Sequence, residues 1–241
     1  MMPTFVHYIP ILTTVLAALF ATAVFRRWRS RGGAHLLWWT IGLAAYGAGT
    51  FTEAAVTLVG WHEPLFRAWY VTGALLGGAP LAQGTVYLLL PRRTAHRLTA
   101  VLLPVIALAA ACVLLSPIDH AGVEPHRLTG RVLVWSWVRA FSPFINLYAF
   151  VFLVGGAVLS AIRYARVPGQ RHRFTGNVLI AVGALLPGIG GSATRFGHTE
   201  VLYVTELIGL VLILAGYRRI VGGPATVAAA AGGAGPAVHA P

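Results

Sequence analysis

The sequence contains no lysine, one cysteine and six acidic residues. The missing lysine excludes any cofactor held as a lysine Schiff base. The single Cys112 excludes an intramolecular disulfide and a cysteine-built metal cage. Charged residues make up 10% of the chain. Soluble domains carry about a quarter, so a soluble enzyme is not expected. Disorder needs low hydrophobicity, and 57% of the chain is hydrophobic. The basic residues, all arginine, bring the formal net charge to +12. A nucleic-acid binder needs such charge on a water-facing surface.

What the chain does have is long apolar runs. A spanning helix needs about 20 apolar residues at about 1.5 Å rise each. Seven runs meet or approach this length: residues 5–25, 36–59, 66–90, 98–116, 140–162, 174–193 and 201–217. The expected fold is an all-α integral membrane protein, a seven-transmembrane-helix bundle over residues 1–221. Residues 222–241 are Gly, Ala and Pro with almost no charge and read as a disordered tail. The first run is followed, not preceded, by arginines. It therefore reads as a retained helix and not a signal peptide, although Ala21-Thr22-Ala23 spells a cleavage site.

Arginine placement sets the expected orientation. Arg26, Arg27, Arg29, Arg31, Arg92, Arg93, Arg97, Arg163, Arg166, Arg171, Arg173, Arg218 and Arg219 fall on one side; Arg67, Arg127, Arg131, Arg139 and Arg195 fall on the other. The rule puts the larger group in the cytoplasm, with the N-terminus outside, the C-terminus inside and the protein in the cytoplasmic (inner) membrane. Trp28, Trp38 and Trp39 would form the inner aromatic belt, and Trp61, Trp69, Trp135 and Trp137 the outer one. All six acids fall on the outer side or in the outer half of the membrane. The positive charge is thus a topology signal, with attraction to anionic inner-leaflet lipid, and no nucleic-acid partner is expected.

Between the fourth and fifth spans lies the longest loop, and its apolar piece Val132–Trp137 reads as a short interfacial helix. Tyr70-Val71-Thr72 and Tyr203-Val204-Thr205, with Pro10 and Pro143, admit a 3+1+3 parallel repeat.

Ionisable groups inside a span cost about 2.5–3.5 kcal/mol at its centre. Glu53 in the second span and Glu206 in the seventh lie about eight positions from the outer boundary, roughly 12 Å deep. Arg139, Ser142 and Asn146 repeat at i, i+3, i+7 in the fifth span. Tyr46 shares the Glu53 face, Tyr203 shares the Glu206 face, and His7 with Tyr8 lies at the outer end of the first span. The expected site is an outward polar chamber of Glu53, Glu206, Asn146, Arg139, Tyr46, Tyr203 and His7, in which Arg139 or Arg67 neutralises a glutamate or one glutamate is protonated, since desolvation raises a carboxyl pKa. The competing reading is a buried network that only fixes helix packing. Gly73 and Gly77, with Gly84, and Gly42 with Gly49 read as packing surfaces. Pro80 and Pro187 should kink or open their helices, and Pro187-Gly188-Ile189-Gly190-Gly191 should make the sixth span flexible. Four histidines, His62, His120, His126 and His198, accompany acids in the outer loops without metal-site spacing. No metal and no catalytic residue is assigned.

Seven spans with an outer N-terminus resemble microbial rhodopsins in topology alone. The seventh span reads Val201-Leu202-Tyr203-Val204-Thr205-Glu206-Leu207-Ile208-Gly209, and a chain without lysine cannot hold retinal covalently. The topology is also similar to small carriers built from two three-helix repeats. Their paired Pro-Gln motif is missing; Pro80-Leu81-Ala82-Gln83 is the nearest approach. Membrane-embedded bacterial sensor modules look alike too, but no soluble output domain is expected here. The leading expectation is a non-enzymatic, receptor-like or accessory protein binding a small ligand. Its expected partners are the lipid bilayer, that ligand and a membrane or cytoplasmic signalling protein. A small carrier of protons, a cation or a solute is the second reading. A membrane enzyme acting on lipid or pigment is the third.

Overall fold

The computed structural model describes residues 5–124, 127–194 and 196–223. Of the expected tail only Gly222 and Gly223 fall among these; His126 and Arg195 lie outside the described residues. The chain is an all-α, multi-pass helical membrane protein. Its α-helices are α1 (Ile9–Arg31), α2 (Ala34–Val59), α3 (Glu63–Trp69), α4 (Ala79–Leu89), α5 (Arg92–Leu115), α6 (Phe141–Ala149), α7 (Gly155–Ala165), α8 (Arg171–Thr194) and α9 (Thr199–Val221). Five stretches are long and apolar enough to cross a membrane: Phe5–Arg31, Arg92–Leu115, Ser136–Ala165, Arg171–Thr194 and Thr199–Val221. Their outer faces stay apolar and exposed, as at Leu19, Val101, Leu108, Leu115 and Phe144. In water such a belt would aggregate; in lipid it is the required surface. α2 runs for 26 residues beside them, with Trp, Gly, Thr and Glu53 diluting its apolar character.

Local sequence explains the breaks. Pro10, Pro64 and Pro80 each sit in the first turn of a helix, where the missing N–H costs nothing. Pro80 therefore starts α4 and does not kink a continuous third pass. Gly32 and Gly33, with φ of 68° and 98°, make the tight turn from α1 to α2, a backbone region that Cβ disfavours.

The expected run 66–90 is not one helix. After α3 the backbone widens into a π-helical segment, Tyr70–Leu75, and α4 begins only at Ala79. The run 140–162 is interrupted in the same way: α6 passes through a π-helical segment, Phe150–Val154, into α7. Pro187 lies inside α8, which continues as helix through Thr194.

The loop after α5 is not an interfacial helix. Ile118 bridges Leu133, Asp119 N–H donates to Val132 O at 2.8 Å, and Val134 N–H donates to Pro117 O at 3.1 Å. This pairing takes the backbone bonds a helix would need. It turns Val132, Leu133 and Val138 down into a core with Phe66, Tyr70, Leu75, Ile106 and Val113. A second core, at the arginine-rich end, joins Ala17, Phe20, Val24, Leu36, Leu43, Leu81 and Leu210.

α8 and α9 form the closest helix pair. Gly176, Gly183 and Gly190 recur every seven residues on α8, facing Gly216, Gly209 and Leu202 on α9. A Cβ at Gly183 would stand 2.6 Å from Gly209 O, and one at Gly176 2.8 Å from Gly216 O. Only glycine allows these backbones to approach so closely.

Candidate functional site

Glu53 on α2 is buried, 4% exposed. Its Oε1 accepts a hydrogen bond from Trp69 Nε1 at 3.0 Å. Glu206 on α9 lies opposite. Both residues line one space, and among the described residues none donates to the buried Oε2 of either. Tyr46 OH donates to the backbone carbonyl of Glu206 at 3.0 Å, which ties α2 to α9 one helical step from the pair.

Beside the carboxyls lies a cavity of ≈ 390 Å³, at the small end of the roughly 300–1,000 Å³ found for ligand sites. Its walls come from α2, the third pass, α6 and the π-helical segment after it, α8 and α9. Both π-helical segments and the proline inside α8 reach it. Gly73 and Ala74 belong to the first π-helical segment, Phe150, Leu153 and Val154 to the second, and Pro187 to α8; all six line the space. π-helical turns displace side chains from the regular helical surface and recur at functional sites. The first segment also leaves Ala74 O to accept Asn146 Nδ2–H at 3.2 Å, and Ser142 Oγ–H donates to Tyr70 OH at 3.4 Å.

The glycine approach expected between the second and third spans occurs at Gly49, where a Cβ would lie 2.9 Å from Gly73 Cα. It brings α2 close enough to the third pass for Trp69 to reach Glu53.

The structure brings together Glu53, Glu206, Tyr46 and Asn146, all of which line the cavity. Tyr203 is buried next to them on α9 and meets the His7 ring edge-on at 6.2 Å. His7 lies at the rim, its carbonyl accepting Thr57 Oγ1–H at 3.1 Å. Arg139 is not part of the group. It sits in a 3-10 turn ahead of α6 and donates Nε–H to Ser136 O at 3.2 Å, because the helical register it shares with Asn146 starts only at Phe141. Arg67 is also elsewhere, paired with Glu63 at 2.6 Å. Among the described residues no arginine or histidine lines the cavity, and its ionisable lining there is acidic and phenolic.

Two features escape the sequence reading. Trp69, read as a belt residue, is a donor to Glu53. The scattered polar residues of the other half join into one chain. Tyr148 OH donates to Gln83 Oε1, Gln83 Nε2–H donates to Thr99 Oγ1 at 2.7 Å, and Tyr87 OH contacts both Thr99 Oγ1 at 3.0 Å and His96 Nδ1 at 3.1 Å. The spacings Gln83/Tyr87 and His96/Thr99 put each pair on one helix face, the only trace of the chain in the sequence. Tyr148 does not line the cavity, so the chain stops beside it.

At the loop end, His198 meets Glu200 at 3.3 Å and His120 meets Glu63 at 3.9 Å. Among the described residues no three metal-ligating side chains cluster. No family model, no curated protein and no solved structure matches this chain.

Proposed function

We propose that this chain is a seven-pass protein of the cytoplasmic membrane that binds a small ligand in the cavity beside Glu53 and Glu206. α2 and the broken α3–α4 pass complete the count, and the N-terminus lies outside. The protein is receptor-like or accessory; it passes occupancy to a membrane or cytoplasmic signalling partner. The observation that carries the reading is the presence of two glutamates from distant helices in the wall of one cavity that both π-helical segments and Pro187 also line. A network serving packing alone would close on itself, whereas here two acidic oxygens have no donor among the described residues. The acids without a basic neighbour favour a ligand that presents N–H donors, and a protonated amine is the simplest such group.

The test uses butylammonium and the double variant Glu53→Gln/Glu206→Gln, which keeps shape and removes both acids. Butylammonium should raise the melting temperature of the wild-type protein in lipid nanodiscs and leave that of the double variant unchanged. An equal response of the two, or no response together with equal stability, overturns the reading in favour of packing.

A carrier is the second reading, and the Tyr148–Gln83–Thr99–Tyr87–His96 chain is the observation that favours it. Its end at Tyr148 and its amide link weigh against a continuous proton path. Proton flux in proteoliposomes that disappears in His96→Ala and in Glu206→Gln would choose the carrier.

A further inference from the structure

The cavity has an open side. On the fifth pass, Pro143, Asn146 and Phe150 line it and are exposed; on α8, Leu185, Gly188 and Ser192 do the same. Each set follows i, i+3, i+7, one stripe of a helix. The two segments run in opposite directions, so Pro143 faces the depth of Ser192, and Phe150 that of Leu185. The stripes border a slot about 10 Å long, seven residues at about 1.5 Å each. Below the slot α7 packs on α8, while α6 leans on α4 and the first π-helical segment instead. The π-helical turn at Phe150–Val154 is where the pass divides between those two neighbours. The lips of the slot are apolar and exposed, at Phe144 and Leu147 on one side and Ile189 and Val182 on the other. They face the hydrocarbon of the bilayer. Inside, the acids stand with Tyr46 and Trp69, and Leu81, Leu153, Ala184, Leu202 and Ile213 supply an aliphatic wall.

Resting on the ligand-binding reading above, we infer that the cavity takes a single-chain amphiphile with a protonated amine head, admitted sideways from the bilayer between α6 and α8. The head places its N–H groups between Glu53 and Glu206 and supplies the donors their orphaned oxygens lack. It offsets an acidic charge that no described residue of the cavity offsets. The chain lies along the aliphatic wall and leaves through the slot, so it never crosses the polar surface. A water-borne ligand would need no lipid-facing opening.

Gly188 provides the test. A Cβ there would meet nothing within 4 Å, so a side chain at this position starts in open space and a tryptophan adds bulk to the slot. Gly155 is equally open but lies outside the cavity. With the protein in phosphatidylcholine nanodiscs and probe concentrations taken as bilayer mole fractions, dodecylammonium should raise the melting temperature at about tenfold lower mole fraction than butylammonium. Dodecanol should give no such rise. Gly188→Trp should weaken the dodecylammonium response about tenfold, and Gly155→Trp should not. Ser192→Trp closes the same slot if Gly188→Trp fails to fold. Equal responses to both amines, or indifference to both slot variants, discard the sideways amphiphile and leave the carboxyl site standing. An undiminished response in Glu53→Gln/Glu206→Gln discards the site itself.

Discussion

Arg67 shows how much one side chain organises. Its Nη1 donates to Val113 O at 2.5 Å and to Leu114 O at 2.8 Å, and its Nη2 to Ser116 O at 2.9 Å, while Nε and Nη2 hold Glu63 Oε1 at 2.8 and 2.6 Å. Helices end with carbonyls that lack partners; here the planar guanidinium of the third pass takes two from the last turn of α5 and a third from Ser116 just after it. Charged hydrogen bonds are worth about 1.5–3 kcal/mol each, so Arg67→Leu should lower unfolding stability by about 2–3 kcal/mol in a thermal melt. Arg67→Lys should recover only part, because an ammonium has no fork. The sequence offered Arg67 as a counter-charge for a membrane glutamate, and its partner proved to be four positions away. Depth was the legible quantity. A fixed rise per residue places Glu53, Glu206 and Asn146 at similar levels by counting from the ends of the runs. Rotation about the helix axis was not legible for Arg139, since the start of α6 decides it and no apolar run marks that start.

At the scale of elements, the apolar runs announced the helices but not their interruptions. A π-helical turn inserts a residue without any composition signal, so Tyr70–Leu75 and Phe150–Val154 read as ordinary helix. The echo between Tyr70-Val71-Thr72 and Tyr203-Val204-Thr205 meets the same limit. The first opens a π-helical segment and the second lies inside α9. Proline told more about helix starts than about kinks: Pro10, Pro64 and Pro80 all open helices. The seven-residue glycine period of α8 is visible in the sequence, but the period alone does not say which helix faces it. It gives a prediction at this scale. Gly183→Ala sets a methyl against Gly209 O and should cost about 1–3 kcal/mol, the usual range for overpacking. Gly188→Ala, one turn on and facing open space, should change stability by no more than about 0.5 kcal/mol. The two melts together separate loss of glycine from loss of contact.

The whole molecule divides into two cores with the acidic cavity between them. One core is closed by the loop after α5, the other by the arginine-rich ends of α1, α2, α4 and α9. That division was hidden, because the loop looked like a surface element while its Val132 and Leu133 are core residues. The proposed orientation is tested on cells, with Cys112 replaced by serine. A cysteine at Ala121, exposed in the loop after α5, should react with an impermeant maleimide. One at Pro168, exposed between α7 and α8, should react only after permeabilisation. Reversed labelling would turn the molecule over.

The glycine-lined pairing of α8 with α9 also bears on how the protein is made. Its contacts span a short turn, so the closure entropy is small, and local contacts form fastest. The last two helices can leave the ribosome's insertion machinery as a finished hairpin, before meeting α1 and α2. Until that hairpin docks, Glu206 faces lipid without Glu53, and the cavity lacks two of its walls. The acidic pocket therefore cannot form until that hairpin has docked.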